Sequence, residues 1–196
     1  MTDKNKDKSY LIIRFWVIYI ASLILIFLLF FAIAKEWFGY MPSFEELENP
    51  ESNLASEIYS YDGDLLGTYY IENRSNVDYK DLPDHLVNAL LAIEDIRFYN
   101  HAGVDFKALL RVAYGITTGN YKGGGSTITQ QLAKNLFPRK LGLSKPELVL
   151  RKLKEWVTAT KLEKNYSKEE IIAMYFNTMD YGHQSFGIKS AAKTFY

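Results

Sequence analysis

The feature that most constrains this chain is a run of twenty residues without a charged side chain, from Phe15 to Ala34. As an α-helix, such a run is about 30 Å long and matches the hydrocarbon core of a bilayer. A cleaved secretory signal is the alternative interpretation, because Ala32-Ile33-Ala34 has the small-x-small pattern of a cleavage site. The run is longer than the usual signal-peptide core of about 7–15 residues. The sequence therefore favours an uncleaved transmembrane signal-anchor helix over residues 15–34.

The charges on either side of the apolar run predict its orientation. The basic residues that precede it are Lys4, Lys6, Lys8 and Arg14. Only Lys35 follows it closely before an acidic stretch over residues 36–57. Because basic flanks stay on the cytoplasmic side, residues 1–14 are expected in the cytoplasm. The expected protein crosses the cytoplasmic membrane once, contacts membrane lipids and has its main domain in the periplasm or otherwise outside the cell.

Charge is distributed unevenly along the chain, although the 23 basic and 23 acidic residues cancel. Residues 35–106 carry 4 basic and 15 acidic side chains, whereas residues 134–168 carry 10 basic and 3 acidic ones. A uniformly basic nucleic-acid-binding protein is excluded, so no nucleic-acid partner is expected. Disulfide frameworks, thiolate metal sites and cysteine nucleophiles are excluded as well, since the chain has no cysteine.

Beyond the anchor, the sequence predicts a connector, a hairpin and a series of helices. Residues 35–56 mix Pro, Gly, Ser and Glu, which is typical of a juxtamembrane connector. Segments rich in β-forming residues surround Asp62-Gly63, a dipeptide that favours a hairpin turn. From Leu82 onward, apolar residues recur at helical spacing. The expected helix starts are Pro83, Ser126 or Thr127, Pro146 and Ser167.

Two of the predicted helices carry apolar residues on one face. In the first, Leu86, Leu90 and Ile93 share a face, and the second repeats the pattern after Asp105. The residues on that second face are Phe106, Leu109, Leu110 and Ala113. Because Glu94 follows Leu90 by four residues, it is expected at the apolar face and partly desolvated. Desolvation favours proton exchange between a carboxyl group and a hydroxyl.

Three segments place polar side chains in patterns that a purely structural helix does not require. The first is EDIRFYNHAGVD, from Glu94 to Asp105. The second, GGGSTITQQLAKN, begins at Gly123 and presents a glycine-rich helix start, where backbone N–H groups can bind phosphate. The third, RKLKE, flanks Glu155 with two cations at helical spacing. Taken singly, each has a structural explanation: a solvated helix end, a capped loop and a surface salt bridge.

Taken together and in this order, these segments resemble the peptidoglycan glycosyltransferases of family 51, which occur in class A penicillin-binding proteins and in monofunctional cell-wall polymerases. They match that family's E-D-x-x-F-x-x-H-x-G-x-D, G-G-S-T-I-T-Q-Q and R-K-x-x-E motifs. The segment from Lys168 to Asn177 is similar to its K-x-E-I-x-x-x-Y-x-N motif, and FGIKSAAKTFY resembles the start of a fifth. The resemblance covers residues 57–196. It implies an all-α, lysozyme-like glycosyltransferase domain with a small N-terminal β-hairpin, truncated at its C-terminal end.

The resemblance also implies the reaction and the residues that perform it. The reaction is an inverting transfer that polymerises lipid II into β-1,4-linked glycan strands and releases undecaprenyl pyrophosphate during cell-wall synthesis. Glu94 is implied as the general base and Glu155 as the second catalytic glutamate. The residues implied in substrate or pyrophosphate binding are Lys134, Arg151, Lys152, Ser126, Thr127, Gln130 and Gln131. Those implied as supports are Asp95, Phe98, His101, Gly103 and Asn177.

The implied partners are lipid II, the growing lipid-linked strand and other proteins of cell-wall synthesis. The sequence requires no cofactor and shows no cluster of metal ligands, although Mg²⁺ near the pyrophosphate is compatible with the resemblance. Asp62-Gly63-Asp64 matches the DxD pattern of metal-dependent sugar transferases, but a hairpin turn explains both carboxylates. Ser190 and Lys193 have the S-x-x-K spacing of penicillin-interacting enzymes without their accompanying motifs.

Two other functions stay open on the sequence alone. A lytic muramidase also uses a glutamate beside a glycan, but hydrolysis requires neither the glycine-rich segment nor the basic third segment. A non-catalytic, membrane-tethered scaffold for cell-wall machinery would not depend on the carboxylate of Glu94. The transferase accounts for all three segments at once.

Overall fold

The computed structural model describes residues 3–42, 56–63, 65–69, 73–74, 76–120, 123–137, 142–183 and 185–196. The chain forms two compact units, Met1–Tyr40 and Met41–Tyr196. Most of the predicted connector and Asp64 of the DxD pattern lie outside the described residues.

The first unit is built on one long helix, α1 (Asp3–Ala34). Within it, the 25 residues from Tyr10 to Ala34 have a mean hydropathy of 3.0, so the helix is long and apolar enough to cross a membrane. Most of its apolar side chains are exposed; Leu25, for example, is 70% exposed, whereas Ile33 near its C-terminal end is fully buried. A helix that is apolar on all sides needs an apolar environment. The predicted helix of membrane-spanning length is confirmed, and it extends N-terminally to Asp3.

The second unit begins with the predicted β-hairpin. Strands β1 (Ser56–Tyr59) and β2 (Leu65–Tyr69) pair antiparallel, with Ser56 opposite Tyr69. In the turn, Gly63 has a φ of +87° and donates its N–H to the Ser60 carbonyl at 3.1 Å. Glycine adopts this left-handed conformation without the steric cost of a Cβ atom. The predicted hairpin around Asp62-Gly63 is therefore confirmed.

Helices make up most of the rest of the described second unit. They are α2 (Asp84–Glu94), α3 (Phe106–Thr118), α4 (Ile128–Asn135), α5 (Lys145–Asn165), α6 (Lys168–Thr178) and α7 (Ile188–Phe195). Short 3₁₀ turns lie at Tyr79–Asp81 and Phe98–Asn100. A small parallel sheet joins β3 (Asn73–Arg74) to β4 (Ser185–Phe186). The mostly helical fold agrees with the sequence prediction.

Local capping explains where these helices begin. Thr127 accepts the Gln130 N–H at 3.1 Å and opens α4. Ser167 opens α6 with a capping box, because its hydroxyl accepts the Glu170 N–H while Glu170 accepts the Ser167 N–H at 2.7 Å. The backbone N–H and the hydroxyl of Ser167 hold the pKa of Glu170 below its ordinary value. Ser144 similarly caps α5, which begins at Lys145, one residue before the predicted start at Pro146.

The hydrophobic core centres on α4, which packs against both α5 and α6. The fully buried apolar residues of α4 are Ile128, Leu132 and Ala133. Their partners include Ala159 and Leu162 on α5 and Ile171, Ile172 and Phe176 on α6. Because α4 is packed on two sides, its first turn is held in place as well.

The apolar faces predicted for α2 and α3 are only partly used in this core. Leu86 and Leu90 pack against it, but Ile93 is exposed. On α3, Phe106 and Leu110 are exposed too. Helical spacing identifies which residues share a face. Whether another element covers that face depends on the tertiary arrangement.

Candidate active site

The end of α2 and the glycine-rich segment before α4 line one cleft of about 170 Å³. Residues 92–97 and 123–127 form most of its lining, and they include Glu94 and Ser126. Arg111 of α3 also lines it. The structure therefore brings the first two polar segments of the sequence together, although about thirty residues separate them in the chain.

Glu94 is the last residue of α2 and is exposed. Its Oε2 accepts a hydrogen bond from the Gln131 side-chain N–H at 2.6 Å. The expectation that Glu94 is partly desolvated is wrong, because the neighbouring Ile93 and Ile96 are exposed as well. The apolar face of α2 thus ends before this residue. A carboxylate in this position is open to a hydroxyl group from a ligand in the cleft.

Asp95 is buried directly behind Glu94 and connects two parts of the site. Its Oδ2 lies 2.9 Å from His101 Nε2 and accepts the Ile128 N–H at 3.2 Å. A carboxylate at the first turn of a helix also interacts favourably with the helix dipole. Asp95 therefore joins the loop after α2 to the start of α4, the kind of contact that the predicted supporting role requires.

A second connection between these segments runs through Gly103. Its carbonyl accepts hydrogen bonds from the Thr127 hydroxyl at 2.7 Å and from the Gln130 side-chain N–H at 3.2 Å. Gly103 has a φ of +87°, and a Cβ atom there would lie 2.8 Å from the Ala159 carbonyl. Gln130 is fully buried. This burial does not fit the implied place of Gln130 among the substrate-binding residues.

Two more of the predicted supports lie inside the fold. Phe98 is fully buried, and the Lys168 ammonium lies 4.2 Å from the centre of its ring. The amide of Asn177 accepts the Val77 N–H and donates to the Val77 carbonyl, both at 3.0 Å. Neither side chain is in the lining of the cleft, and both hold backbone and core in place.

Glu155 is buried in the middle of α5, with two cations beside it. Lys152 Nζ lies 3.0 Å from one carboxylate oxygen, and Arg151 Nε lies 3.8 Å from the other. The Lys152 ammonium also donates to the Ser126 hydroxyl at 2.9 Å. This last bond connects the third polar segment to the glycine-rich lining of the cleft.

Lys134, a cation predicted to bind substrate, is not in the lining of the cleft, whereas two cations that do line it were missed. Lys134, a predicted ligand, lies exposed in the last turn of α4. Arg111 was missed, and it donates to the Gly124 carbonyl at 3.1 Å. Its position on α3 carries no local signal, because the contact depends on how α3 meets a loop thirteen residues away. Arg97 was missed too, and it pairs with Asp105 at 2.6 Å.

Asp105 caps α3, lines the cleft and forms the ion pair with Arg97. Burial alone would raise the pKa of Asp105. The Ala108 N–H and the Arg97 guanidinium outweigh that effect and hold its pKa below its ordinary value. Asp105 therefore stays ionised at neutral pH.

The ligand atoms of Asp95, His101 and Asp105 lie within 4.8 Å of one another, close enough to hold a metal ion. Histidine spacing alone did not indicate this cluster, which an irregular loop assembles. Each carboxylate already has protein partners, and the Arg97 guanidinium supplies positive charge to Asp105. Mg²⁺ prefers octahedral oxygen ligands and several waters. The cluster therefore does not fit Mg²⁺, and no chemical step is assigned to a metal.

Two other features fall outside the candidate site. A larger cavity of about 750 Å³ is lined by residues that include Arg97, His101, Phe106 and Lys107, but by neither glutamate. Ser190 of the S-x-x-K pattern is fully buried. Its hydroxyl is therefore inaccessible to a substrate, which argues against a nucleophilic role.

Comparison with known proteins identifies clear relatives. A family model described as Transglycosylase matches residues 62–196. Penicillin-binding protein 1F of Bacillus subtilis is 41% identical over 145 residues, which cover 74% of this chain and 20% of that protein. Penicillin-binding protein 1A of Neisseria gonorrhoeae is 38% identical over 157 residues, or 80% of this chain and 19% of that protein. The protein of the same name from Pseudomonas aeruginosa is 36% identical over 157 residues, or 80% and 18%. The chain thus spans about a fifth of the length of these relatives.

Proposed function

Because this chain belongs to the transglycosylase family, we propose that it is a membrane-anchored peptidoglycan glycosyltransferase that polymerises lipid II. The contrast between the two glutamates carries the proposal. Glu94 is exposed at the cleft, whereas Glu155 is buried beside two cations, one of which reaches Ser126 at the same cleft. Glycosyl transfer to a hydroxyl with a pyrophosphate leaving group needs one proton acceptor and a group of cations.

In this reaction Glu94 is the general base. It takes the proton from the 4-hydroxyl of the acceptor sugar while that oxygen attacks the anomeric carbon of the donor. The bond from the anomeric carbon to the pyrophosphate oxygen breaks, and its electron pair leaves with undecaprenyl pyrophosphate. Attack from the opposite face inverts the anomeric centre, so an α-linked pyrophosphate donor gives a β-1,4 bond.

The cations near Glu155 receive the charge of the leaving group. Arg151 and Lys152 are held by the Glu155 carboxylate, and Lys134 lies exposed on α4. Cations that are already in place when charge develops stabilise the transition state without reorganisation. The backbone N–H groups of the glycine-rich segment before α4 add to this environment.

The membrane anchor fits a substrate with a polyprenyl tail. Helix α1 is long and apolar enough to hold the protein at the bilayer where such a substrate lies. The basic residues before the span support a cytoplasmic N-terminus. The transferase domain then lies on the extracytoplasmic side, with the growing glycan strand and other proteins of cell-wall synthesis as its partners.

A muramidase fits these contacts less well. Most glycoside hydrolases use two carboxyl groups that flank the scissile bond, with the acid often in an apolar pocket. Glu94 is exposed, and both oxygens of Glu155 face cations. The second carboxylate is thus paired with cations and is not placed to act on a glycosidic bond. The cations beside it suit an anionic leaving group.

The test is to reconstitute the protein in lipid vesicles and supply fluorescent lipid II. We expect a ladder of glycan polymer with the parent protein and with Glu169→Gln, which changes an exposed glutamate on α6. We expect Glu94→Gln to form polymer at least about a hundredfold more slowly. Polymer from Glu94→Gln at the parental rate would show that the assignment of the base is wrong. Soluble fragments released from preformed glycan would support the muramidase instead.

A further inference from the structure

The hydrogen bond that reaches Glu94 is itself held from behind by a tyrosine. Gln131 donates its side-chain N–H to Glu94 Oε2 at 2.6 Å. The Tyr175 hydroxyl donates to the carbonyl oxygen of the same Gln131 amide at 3.2 Å. The three side chains come from α2, α4 and α6 and form one continuous chain of hydrogen bonds.

The direction of these bonds follows from the chemistry of the groups. An ionised carboxylate only accepts hydrogen bonds, so Gln131 must present its NH₂ group to Glu94. The amide oxygen then faces Tyr175, which must donate. Burial and the nearby charge of Glu94 raise the pKa of Tyr175 to about 12. The phenol therefore stays protonated at neutral pH and keeps its role as a donor.

Packing accounts for the ring of Tyr175 but not for its hydroxyl. The residue is buried in the core, and its ring meets Phe176 edge to face with the centroids 6.0 Å apart. A phenylalanine would fill the same space. The hydroxyl, by contrast, donates to the Gln131 amide, which in turn contacts the exposed Glu94 of the cleft.

We propose that Tyr175 is a positioning residue for the base: by holding the amide oxygen of Gln131, it keeps the amide N–H directed at Glu94. This proposal rests on the proposed function of Glu94 as general base. It also assigns Gln131 to the base, whereas the sequence resemblance implied a place among the substrate-binding residues.

The kinetic test uses Tyr175→Phe in the full protein, with Tyr99→Phe as the matched control. Burial and the neighbouring Tyr79 raise the pKa of Tyr99 to about 12, so the control also removes a phenol that stays protonated at neutral pH. We expect Tyr175→Phe to lower kcat about three- to tenfold, the effect of one hydrogen bond, with little change in KM for lipid II. Tyr99→Phe should leave both constants unchanged.

A double-mutant cycle separates this role from a purely structural one. If Tyr175 acts through Gln131, then Tyr175→Phe should cause no further loss of kcat in a Gln131→Ala background. An equal loss in both backgrounds would overturn the proposal, because the hydroxyl would then act elsewhere. A higher KM with an unchanged kcat in Tyr175→Phe would overturn it as well.

A spectroscopic measurement tests the same chain of bonds without turnover. The side-chain amide resonance of Gln131, assigned by its loss in Gln131→Ala, should shift in Tyr175→Phe and in Glu94→Gln but not in Tyr99→Phe. An unshifted resonance in Tyr175→Phe would overturn the positioning role, even in an active enzyme. A shifted resonance in a protein that polymerises no lipid II would instead support the hydrogen-bonded chain and contradict the proposed function.

Discussion

The surroundings of Glu94 and Glu155 show how one residue type acquires two chemical roles in one domain. Glu94 ends a helix, is exposed and accepts a hydrogen bond from a neutral amide. Glu155 lies within a 21-residue helix, is 5% exposed and has two cations beside it. The first arrangement leaves a carboxylate able to accept a proton. In the second arrangement, the carboxylate holds two cations in place.

The two regions also differ in what holds them together. Around Glu155 the contacts are local, since Arg151 and Lys152 are four and three residues away on the same helix. Around Glu94 they are long-range, because Gln131 lies 37 residues further along the chain. The Glu94 region therefore depends on the packing of α4 for its geometry. Substitutions should affect activity most at Glu94 and stability more at Glu155.

The largest expected effect is on the rate of Glu94→Gln. General-base catalysis contributes about 10²–10⁴-fold, so we expect kcat to fall by that order. The free energy of unfolding should change by less than about 0.5 kcal/mol, because the side chain is exposed. Initial rates with lipid II and urea unfolding measure the two quantities. A variant that is both slow and strongly destabilised would contradict the distinction between the two glutamates.

The next effect tests the contact that joins the two regions. Gly103 follows Glu94 in the chain and packs against Ala159 on α5, the helix that carries Glu155. Gly103→Ala combines a positive φ with a 2.8 Å clash, so we expect a loss of about 2–4 kcal/mol in the free energy of unfolding. Gly63→Ala is the matched control, because Gly63 has the same φ of +87° and nothing within 4 Å. Equal losses in both variants would show that strain alone matters and that the contact with α5 does not.

Glu155→Gln should lower the free energy of unfolding, because Glu155 holds two cations in place. The substitution leaves Arg151 and Lys152 without their carboxylate. Removing one partner of a fully buried pair costs about 3–5 kcal/mol, but these cations are partly exposed, so we expect about 1–3 kcal/mol. Urea unfolding measures the loss, with Glu169→Gln as the exposed control. A Glu155→Gln protein as stable as the parent would show that Glu155 does not hold the two cations in place.

The smallest effect concerns the pH dependence of stability that comes from the Arg97–Asp105 pair, near Glu94. The pKa of Asp105 is lower in the folded protein than its ordinary value of 3.8. Its contribution to stability is thus complete at neutral pH and is lost as the pH falls below about 4 through the lower folded pKa. Asp105→Asn should therefore lose less stability than the parent between pH 5 and pH 3.

Urea unfolding across this pH range checks the prediction. Asp78→Asn is its control, because Asp78 and its partner Lys80 are both about three-quarters exposed. That variant should follow the parent curve closely, since exposed pairs contribute little. If Asp105→Asn loses as much stability as the parent between pH 5 and pH 3, the Arg97–Asp105 pair does not contribute to the loss of stability in acid.

Local elements of the fold were predictable from the sequence. The capping box of Ser167 and Glu170, the Thr127 cap and the hairpin turn at Gly63 are all in the structure. In each case the interacting groups lie within a few residues of one another. The same holds for the cations beside Glu155, which follow from helical spacing.

Features with distant partners were missed or wrongly predicted. The sequence placed Glu94 on an apolar face, but the structure exposes it. It placed Gln130 among the substrate-binding residues, but the structure buries it against Gly103. It gave no sign of Arg111 at the glycine-rich segment. Periodicity specifies which side chains share a helix face, and it does not specify what covers that face.

The sequence by itself determined a helix of membrane-spanning length, the order of the polar segments and the pairing of Glu155 with its cations, because these depend on composition and on neighbours along one helix. The tertiary structure decided the rest. It directs Gln131 to Glu94, joins Asp95 to the start of α4 and carries Lys152 to Ser126. Hydrogen bonds require their groups within about 3.5 Å. Such distances between remote residues arise from tertiary packing, such as that of α4 against α5 and α6.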